Sequence, residues 1–531
     1  MMLAVPFDAA MAASEGVRNI RIAWPISPTF VSDAYRATLA RFLILVSDLS
    51  NDRRDVAYLG GAALGVIAVE MLEAALCVQH GDARGIAPYG NSPLLAYFGT
   101  KKDSSPEQLP FTTVKPGPVS APRIPALTSL RVTAQWESPA RLIRTVFGDG
   151  PAVISLNDLV RETIQLRPAR YVYRDAGGIL ARGRRGASSK TDIEPELAAA
   201  VAGALADSPA LDELRRRRLR AALLPLAEKF MARASTDLHA LSSLPRLPKE
   251  ILSGTGAKYA SRAVGLASLR RGGNVFRCAH SVTLGLLHAP ELAAASELCV
   301  SSSFIMATPR LAGALERSKA PNLLPSGRRV EIHGLAGDPK IRKLPLLRRR
   351  RPASRPTVVY APTMIRAVAR HAFSTLAPIV YLDWQLRLAR KLSRLPLRLI
   401  CKPHPEGVFQ DKRHPLEDIA ETVYVPFEQV IESADIFVFD RPISTTFGEA
   451  LCTDRPIVYV DLGPPDFTAE VKPLIDRRCR VITATYGGDN VPQVDEGQLA
   501  DAFRDLHDTV EPLDFADMII GNSNRSAVRA N

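Results

Sequence analysis

The chain has 531 residues, with 68 Lys and Arg against 55 Asp and Glu, so its formal net charge is +13. Hydrophobic residues make up 46% and charged residues 23%, which excludes a disordered or collagen-like chain, and the length predicts two large domains or up to four smaller ones. Six cysteines without a CxxC pair exclude a disulfide scaffold and a zinc module, so we expect buried thiols in a reducing cytoplasm.

The longest apolar stretch, Val56–Val78, is long enough to cross a bilayer. Glu70 and Glu73 would each cost ~2.5 kcal/mol or more near the centre of a membrane, and the many small residues are typical of a helix packed tightly on a sheet. We therefore predict a buried helix rather than a membrane span. The first residues carry no basic segment ahead of an apolar core, so we expect no secretory signal.

Positive charge concentrates in two stretches, Leu214–Arg220 within a helical pattern and Lys340–Arg351 in a Pro-interrupted segment. A solvated helix face and a connector between domains explain them, and attraction to anionic lipid headgroups or phosphorylated substrates is the second interpretation. No aromatic residues interleave with the arginines, so nucleic acid is not expected as a partner. We predict a cytoplasmic protein that attaches reversibly to anionic lipid on the inner face of the cytoplasmic membrane.

Short β-branched runs alternate with Ala/Leu/Arg-rich helical patterns, which indicates an α/β protein with parallel strands. In the first part the predicted strands are Ile20–Pro25, Ala152–Leu156, Tyr171–Tyr173, Asn274–Cys278, Leu298–Ser301 and Arg329–His333. After Arg351 the predicted strands are Thr357–Ala361, Arg398–Lys402, Thr422–Val425, Asp435–Asp440 and Pro456–Asp461, and the predicted helices are Pro378–Ser393, Pro415–Ala420, Glu428–Ser433 and Phe447–Thr453. Two doubly wound domains, joined by a basic linker near 340–356, account for this order.

Open parallel sheets bind ligands at the carboxyl ends of their strands, and three predicted strands of the second part end in polar turns. The polar residues of these turns are Thr363, then Lys402 and His404, then Ser444, Thr445 and Thr446, with Glu449 one turn into the following helix. Hydroxyls and free N–H groups at a helix start attract an anion, a carboxylate one turn later can reach a ribose diol, and a Lys or protonated His neutralises a leaving phosphate. Taken singly, Ser444 is an ordinary N-cap and His404 a loop histidine, but together on adjacent strand ends these residues predict a nucleotide site.

The same stretch, residues 357–461, resembles the nucleotide-binding half of GT-B glycosyltransferases. It is most similar to the branch of CDP-glycerol glycerophosphotransferases, capsular polysaccharide transferases and bacterial sialyltransferases. The motifs that carry the resemblance are Tyr360-Ala361-Pro362-Thr363, His404-Pro405, Asp440 with Ser444-Thr445, and Arg455-Pro456-Ile457-Val458. In the first half, Phe276–Gly285 is similar to the family's segment around a histidine of the interdomain cleft, although Ser281 replaces its glycine. In the later motif, Asp440 and Ser444 are separated by two residues more than in the family.

The resemblance implies two Rossmann-like domains that face each other across a cleft. We predict an unassigned N-terminal region (1–130), an acceptor domain (131–340), the linker (341–356) and a donor-binding domain (357–531). It further implies transfer of a sugar or polyol phosphate from a CMP-, CDP- or UDP-linked donor to a saccharide or lipid-linked acceptor, with Thr363, Lys402, His404, Ser444, Thr445, Thr446 and Glu449 on the nucleotide. His280 is either the base that takes the acceptor proton or a core residue, in which case the base is unknown. Because the sequence has no DxD motif, we expect neither a metal nor a cofactor besides the donor.

Four functions are compatible with these patterns. The first is a transferase of surface polysaccharide or glycolipid biosynthesis. The second is a nucleotide-sugar 2-epimerase or hydrolase of the same fold, although its N-terminal Gly-Thr-Arg-Pro-Glu signature does not occur here. The third is a non-catalytic GT-B-like binding protein, and the fourth is an RNA-binding protein, for which the sequence offers little.

Overall fold

The computed structural model describes residues 22–85, 92–99, 109, 150–167, 171–186, 194–254, 258–343, 355–365, 376–504 and 513–521. Most of the predicted linker, residues 344–354, lies outside this part of the chain. The helices, in chain order, are α1 (Pro28–Asp48), α2 (Asn51–Arg84), α3 (Pro93–Gly99), α4 (Asp158–Leu166), α5 (Ala176–Gly186), α6 (Pro195–Ala206), α7 (Glu213–Ser242), α8 (Tyr259–Arg270), α9 (Thr283–Leu286), α10 (Pro290–Ser296), α11 (Pro309–Arg317), α12 (Pro378–Ser393), α13 (Phe427–Ile431), α14 (Thr445–Leu451), α15 (Lys472–Arg478), α16 (Glu496–Arg504) and α17 (Leu513–Phe515).

The first sheet contains six parallel strands and forms the centre of the N-terminal half. Its strands are β1 (Ala152–Ser155), β2 (Val172–Tyr173), β3 (Glu250–Ser253), β4 (Asn274–Cys278), β5 (Ser303–Met306) and β6 (Glu331–Gly334). They lie in the order β2-β1-β3-β4-β5-β6. In such a doubly wound sheet the direction of strand addition reverses between β1 and β3, and ligands bind at that reversal, outside the carboxyl ends of the strands.

The second sheet, in the C-terminal half, is also parallel throughout. Its strands are β7 (Thr357–Tyr360), β8 (Arg398–Cys401), β9 (Glu421–Thr422), β10 (Ile436–Phe439), β11 (Ile457–Asp461) and β12 (Arg480–Thr483). The order is β12-β11-β10-β7-β8-β9, so the reversal lies between β7 and β10. A small antiparallel hairpin of β13 (Thr485–Tyr486) and β14 (Pro492–Gln493) follows. The predicted α/β class with two Rossmann-like halves is confirmed.

Some individual elements differ from their predictions. The segment predicted as a strand at Leu298–Ser301 is a 3₁₀ turn, Leu298–Val300, and β5 begins at Ser303. The predicted helix at Pro415–Ala420 is a 3₁₀ turn over Pro415–Asp418. Ile22 forms only a single bridge where a strand was predicted, and residues 20 and 21 lie outside the described chain. Strands β3 and β12 were not predicted.

Helix α2 carries the longest apolar stretch, and it packs on other helices rather than on a sheet. Its main partner is α7, and α3, α6 and α1 cover most of its remaining surface. By length and composition it could cross a membrane, but 78% of its most apolar window is buried inside the protein. The buried Glu73 accepts a hydrogen bond from the Tyr35 hydroxyl at 2.8 Å. The predicted buried helix is therefore confirmed, whereas the prediction that it packs on a sheet was wrong.

The two halves are joined by backbone contacts as well as by side chains. A single antiparallel bridge joins Leu287 to Phe467. The Asp338 N–H donates to the carbonyl of Ile519 at 2.8 Å, so the segment 513–521 that follows the C-terminal half packs back on the N-terminal half. These contacts fix the two sheets so that their carboxyl edges face one cleft.

Candidate active site

A pocket opens between the carboxyl edges of the two sheets, and we call it the cleft pocket. It is lined by residues 157–159 after β1, 279–282 after β4, Ala307 after β5, Asp338 with residues 340–341 after β6, and Thr445 after β10. The pocket therefore lies where both doubly wound sheets are expected to bind ligands. It brings together two of the predicted site residues, His280 and Thr445.

The N-terminal wall is held by Asn157, which follows β1. Its Oδ1 accepts from the Val160 N–H at 2.8 Å and so caps α4, while its Nδ2 donates to the carbonyls of Gly254 at 3.1 Å and Ala279 at 2.9 Å. One side chain thus ties together the turns after β1, β3 and β4. Because Ala279 precedes His280, Asn157 positions the start of the turn that carries this histidine.

His280 is exposed at the edge of the cleft pocket and is not a core residue of the described chain. Ser281, which stands where the resembling family has glycine, donates or accepts a hydrogen bond with Thr283 Oγ1 at 2.5 Å. The Ser281 hydroxyl also accepts from the Thr283 N–H at 3.3 Å. The serine therefore orders the turn after His280, and the imidazole is left accessible to a molecule in the cleft.

The C-terminal wall is formed by the start of α14. Ser444 caps this helix, since its Oγ accepts from the Phe447 N–H at 3.2 Å and from the Thr446 hydroxyl at 2.9 Å. Thr445 is exposed and lines the cleft pocket. Phe447 anchors the helix on the sheet through ring contacts with Phe439 at 5.2 Å and Tyr459 at 5.4 Å between centroids. The hydroxyl that faces the pocket is thus that of Thr445.

The two walls touch at Gly448 and Val282. A Cβ atom added at Gly448 would lie 2.6 Å from Cγ2 of Val282, closer than real Cβ contacts come. Val282 is buried and follows His280 by two residues, while Gly448 lies on α14 after Thr445. The glycine therefore allows the turn of His280 and the helix of Thr445 to approach each other.

Glu449 is 1% exposed and pairs with a lysine from the opposite half. Lys340 Nζ lies 2.6 Å from Glu449 Oε1 and 2.6 Å from Glu428 Oε1. Burial raises the pKa of Glu449, and the hydrogen bond from Lys340 counters part of that rise. The second oxygen, Oε2, is buried and has no hydrogen-bond partner among the described residues. A buried carboxylate oxygen without a donor is costly, so the charge of Glu449 depends on its ion pair with Lys340 at the other oxygen.

Lys402 lies beside this cluster at the end of β8. Burial lowers the pKa of its ammonium group, and the carboxylates of Glu428 and Glu449 counter part of that effect. For Lys340, burial alone would lower the pKa, but its hydrogen bonds to the same carboxylates hold the pKa above its ordinary value. Two lysines and two carboxylates therefore share one charged cluster between the second sheet and the loop after β6.

Six predicted site residues do not line the cleft pocket: Lys402, Ser444, Thr446 and Glu449, described above, and Thr363 and His404. Thr363 is buried, and its hydroxyl and N–H both donate to the Tyr381 hydroxyl at 2.9 Å. His404 is exposed on the loop after β8, where its Nδ1 accepts from the Glu406 N–H at 3.1 Å. Since β8 neighbours β7 and β7 neighbours β10, the turns after these parallel strands share one edge of the second sheet. The structure thus places Thr363 within the protein and His404 at the rim of that edge.

Asp440, the acidic residue of the predicted motif, has a structural role. Its carboxylate accepts hydrogen bonds from the Tyr360 hydroxyl at 2.6 Å, the Tyr381 hydroxyl at 2.8 Å and the Trp384 indole at 3.0 Å. Burial raises the pKa of Asp440, and these donors act in the opposite direction. The network ties β7, α12 and β10 together beneath the turn that carries Ser444.

Sequence reasoning missed several residues that shape the cleft. Lys340 was assigned to the basic linker, but it belongs to the turn after β6, in which Asp338 Oδ1 accepts from the N–H groups of Lys340 and Ile341 at 2.9 Å each. The sequence Gly-Asp-Pro-Lys at 337–340, three residues after the predicted strand Arg329–His333, was a usable signal, since Asp before Pro is typical of a capped turn. Asn157 carried a similar signal, because Asn at the end of a strand commonly caps the next helix.

The comparisons with known proteins identify no family for the chain. No protein-family model matches it, and no curated protein matches it. Among solved structures it is similar to UGT89C1 of Arabidopsis thaliana, with 13% identity, coverage of 53% of this chain and 69% of that one, and a TM-score of 0.32. It is also similar to Os79 from O. sativa in complex with U2F and trichothecene (11% identity, 71% and 89% coverage, TM-score 0.33) and to Os79 in complex with UDP and deoxynivalenol-3-glucoside (10% identity, 71% and 89% coverage, TM-score 0.32). Similarity this low assigns no function to the chain.

Proposed function

We propose that the protein is a GT-B-type transferase. It would move a sugar or a polyol phosphate from a CMP-, CDP- or UDP-linked donor to a hydroxyl of a saccharide or lipid-linked acceptor, in surface polysaccharide or glycolipid biosynthesis. The observation that carries this proposal is the cleft pocket between the carboxyl edges of two doubly wound sheets, lined by His280 from one half and Thr445 from the other. A bisubstrate transfer needs such an arrangement because donor and acceptor must meet with their reacting atoms in contact.

The second sheet is assigned to the donor because its polar turns suit a nucleotide. Thr445, at the reversal of strand order, would donate to a phosphate oxygen, and Glu449 would accept from a ribose hydroxyl at the carboxylate oxygen that Lys340 contacts. Lys402 would supply positive charge, and His404 at the rim would contact a phosphate of the nucleotide. Ser444 and Thr446 would act by holding the start of α14, and Thr363 by fixing the turn after β7.

The first sheet is assigned to the acceptor because His280 is accessible there. An acceptor hydroxyl oxygen would form the new bond to the transferred group while the bond from that group to the nucleotide phosphate breaks. The hydroxyl proton would pass to the His280 imidazole, and the electron pair of the broken bond would remain on the phosphate. The lysines of the cleft would stabilise that charge, so the proposal requires no cofactor besides the donor.

The first test is a thermal-shift series with CMP, CDP, UDP and GDP. A nucleotide at 100 times its dissociation constant stabilises the folded protein by about 2.7 kcal/mol. That raises the melting temperature by roughly 2 °C if the whole chain unfolds at once, or by roughly 7 °C if the C-terminal half unfolds alone. If none of the four nucleotides shifts the transition, the proposal is contradicted.

The second test separates the roles of the two walls. His404→Ala is expected to weaken binding of the preferred nucleotide, by roughly 1.5–3 kcal/mol if the imidazole makes a charge-assisted contact, measured by calorimetric titration. His280→Ala is expected to leave nucleotide affinity unchanged and to lower turnover in a transfer assay with oligosaccharide and lipid-linked acceptors by 10²–10⁴-fold. His239→Ala, at an exposed position on α7, is the matched control. Nucleotide binding without transfer in the unmodified protein would instead indicate a non-catalytic binding protein.

Ser444 needs a variant that separates capping from binding. Ser444→Ala is expected to lower the free energy of unfolding by roughly 0.5–2 kcal/mol because it removes the cap of α14, and to weaken nucleotide binding as a consequence. Ser444→Asn keeps a capping oxygen and should restore both. A loss of affinity in Ser444→Asn as large as in Ser444→Ala would show that the hydroxyl itself contacts the nucleotide.

A further inference from the structure

Lys340 is the one residue of the cleft pocket whose charged group crosses from the N-terminal half to form ion pairs with α13 and α14, within the part of the chain that the structure describes. Its backbone belongs to the turn after β6, and its ammonium group ends between the carboxylates of Glu428 and Glu449. Glu449 is also the residue that, in the proposed function, accepts a hydrogen bond from the donor ribose. The lysine and a ribose hydroxyl would therefore compete for one carboxylate.

The base of this side chain is fixed. The Lys340 N–H donates to Asp338 Oδ1 at 2.9 Å, and the Asp338 N–H donates to the carbonyl of Ile519 at 2.8 Å. Ile519 belongs to a buried segment that packs on this turn, and the contact is so close that a Cβ atom at Gly337 would lie 1.7 Å from the carbonyl oxygen of Ile520. The backbone of Lys340 is therefore held in place when the cleft changes its occupant.

The ammonium group of Lys340, in contrast to its backbone, has room to move to other partners. The Lys340 side chain is 38% exposed, and it borders the cleft pocket together with Thr445. A lysine ammonium is a compact charge on a flexible four-carbon stem, so rotation about that stem moves the charge by several ångströms at a fixed backbone. Glu449, in contrast, is buried on α14 and cannot follow.

We propose that Lys340 exchanges partners when the donor binds: it neutralises Glu449 in the empty cleft, and it pairs with the donor's diphosphate when a ribose hydroxyl takes its place on Glu449. The inference rests on the proposed function and names the group that would meet the charge of the leaving nucleotide. It explains why a carboxylate can be kept buried beside an empty nucleotide site. It also makes Lys340 a residue that distinguishes a nucleoside diphosphate from a nucleoside.

The experiment measures the affinity of a nucleoside and of its 5′-diphosphate for the same variants by calorimetric titration, with cytidine and CDP, uridine and UDP, and guanosine and GDP as probes. Lys340→Met is expected to lower the affinity for the diphosphate by about 10- to 100-fold and to leave that for the nucleoside undiminished. Lys340→Arg should retain most of the diphosphate affinity because it keeps the charge.

Lys391→Met is the matched control. Lys391 is also half-buried, donates to the carbonyl of Val494 at 2.9 Å and pairs with Glu496 at 3.4 Å. It lies in the last turn of α12, which precedes β8 and therefore ends at the amino edge of the sheet, away from the cleft. This variant should bind both probes like the unmodified protein.

Removing Lys340 leaves two carboxylates without their shared cation, which can prevent folding. The second variant, Lys340→Met/Glu428→Gln, removes one charge of each sign and should show the same selective loss. If Lys340→Met loses affinity for nucleoside and diphosphate alike, the lysine only holds the walls together and the exchange is refuted. If its diphosphate affinity matches that of Lys391→Met, the exchange is refuted and the proposed function stands. If the unmodified protein binds none of the probes, the exchange is refuted, and the proposed function falls with it when CMP fails to bind as well.

Discussion

His414 shows how one buried side chain makes the C-terminal half sensitive to acid. Its Nδ1 accepts from the Leu416 N–H at 3.2 Å, and its ring packs on Phe409 with centroids 4.5 Å apart. Burial lowers the pKa of His414 to about 4, and Glu417 counters only part of that effect. An imidazolium could not accept at Nδ1, so protonation removes the cap of the turn over Pro415–Asp418.

The sign of the pH dependence follows from this lowered pKa. In the unfolded chain the histidine takes up a proton as pH falls below about 6.5, whereas in the folded protein it does so only near pH 4. The stability it contributes is therefore present above pH 6.5 and is lost as pH falls towards 4. By pH 4.5 we expect a loss of roughly 2–3 kcal/mol from this residue, measured by urea unfolding at pH 7, 5.5 and 4.5.

His414→Asn is the control for this prediction, because its side-chain oxygen can cap the turn at every pH in the series. The variant should be less stable at pH 7, since it lacks the ring contact with Phe409, but its stability should fall less between pH 7 and 4.5. Parallel pH profiles for the two proteins would show that His414 is not the acid-sensitive group.

At the scale of single residues, the sequence predicted positions better than roles. Thr445 was placed at the cleft because turns after parallel strands meet at one edge, and His280 because its segment resembles that of a cleft histidine, and both line the cleft pocket. Lys340 could not be assigned, since its partners Glu428 and Glu449 lie about 90 and 110 positions later and the pairing depends on how the two halves meet. Thr363 was predicted to contact the nucleotide, whereas in the structure its hydroxyl donates a hydrogen bond to the Tyr381 hydroxyl.

Helix α14 lies close to the turn of His280 at Gly448, and a substitution of this glycine tests the geometry of the cleft. Gly448→Ala would ordinarily stabilise a helix interior by roughly 0.5–1 kcal/mol. Here the new methyl would meet Val282 Cγ2, and overpacking of this kind typically costs about 1–3 kcal/mol. We therefore expect a net loss in the free energy of unfolding, measured by denaturant titration, together with reduced transfer activity.

The control for this prediction is the double variant Gly448→Ala/Val282→Ala, which removes the Val282 methyl group that the new alanine would meet. The free energy of unfolding of the double variant should be roughly 0.5–3 kcal/mol higher than the value expected if the effects of the two single substitutions were additive, because the residues are in contact. Additive effects, or a Gly448→Ala protein more stable than the parent, would mean that the turn of His280 and α14 do not touch.

Elements of the second sheet were predicted well because buried parallel strands are short apolar runs between helical patterns. Strand β10 is wholly buried, and α12 begins and ends as predicted, with Pro at its first position. Strand β3 begins with Glu250, and β12 lies at the sheet edge, so neither gives a continuous apolar run. The stretch Leu298–Ser301 is equally apolar, but it forms a turn because β5 pairs with β4 through Ser303.

At the scale of the whole molecule, the basic stretch Leu214–Arg220 is largely engaged within the chain. Three of its arginines make contacts that use much of their hydrogen-bonding capacity: Arg215 with Asp82 and Asp212, Arg216 with Glu213 and the carbonyl of Leu211, and Arg218 with the carbonyls of Tyr97 and Phe98. Arg217 and Arg220 are exposed. A solvated helix face therefore accounts for much of this stretch. Membrane attachment stays a prediction that rests on the net charge, on these two side chains and on the stretch Lys340–Arg351, of which residues 344–351 lie outside the described chain.

Sedimentation with anionic vesicles tests that attachment. We expect binding at low salt and release at high salt, because exposed charges are screened within ~10 Å at 0.1 M. Arg217→Gln/Arg220→Gln should weaken binding by about 2 kcal/mol if these residues face the lipid, whereas Arg394→Gln/Arg480→Gln, with the same change in net charge, should weaken it less. Equal effects would assign binding to overall charge, and binding that salt does not weaken would contradict the prediction.

The return of residues 516–521 to the N-terminal half has a consequence for the order of synthesis. Thr308 donates to the carbonyl of Met518, 210 positions later, and the Asp338 N–H donates to the carbonyl of Ile519 in the same segment. At 5–20 residues per second, the ribosome needs roughly 10–35 s to make the chain between Asp338 and Ile519. During that time the first sheet can form, but the turn that carries Lys340 lacks its backbone support, and the carboxylate partners of Lys340 are made only about 90 and 110 residues after it. A nascent chain therefore completes the cleft pocket late, after both sheets have been made.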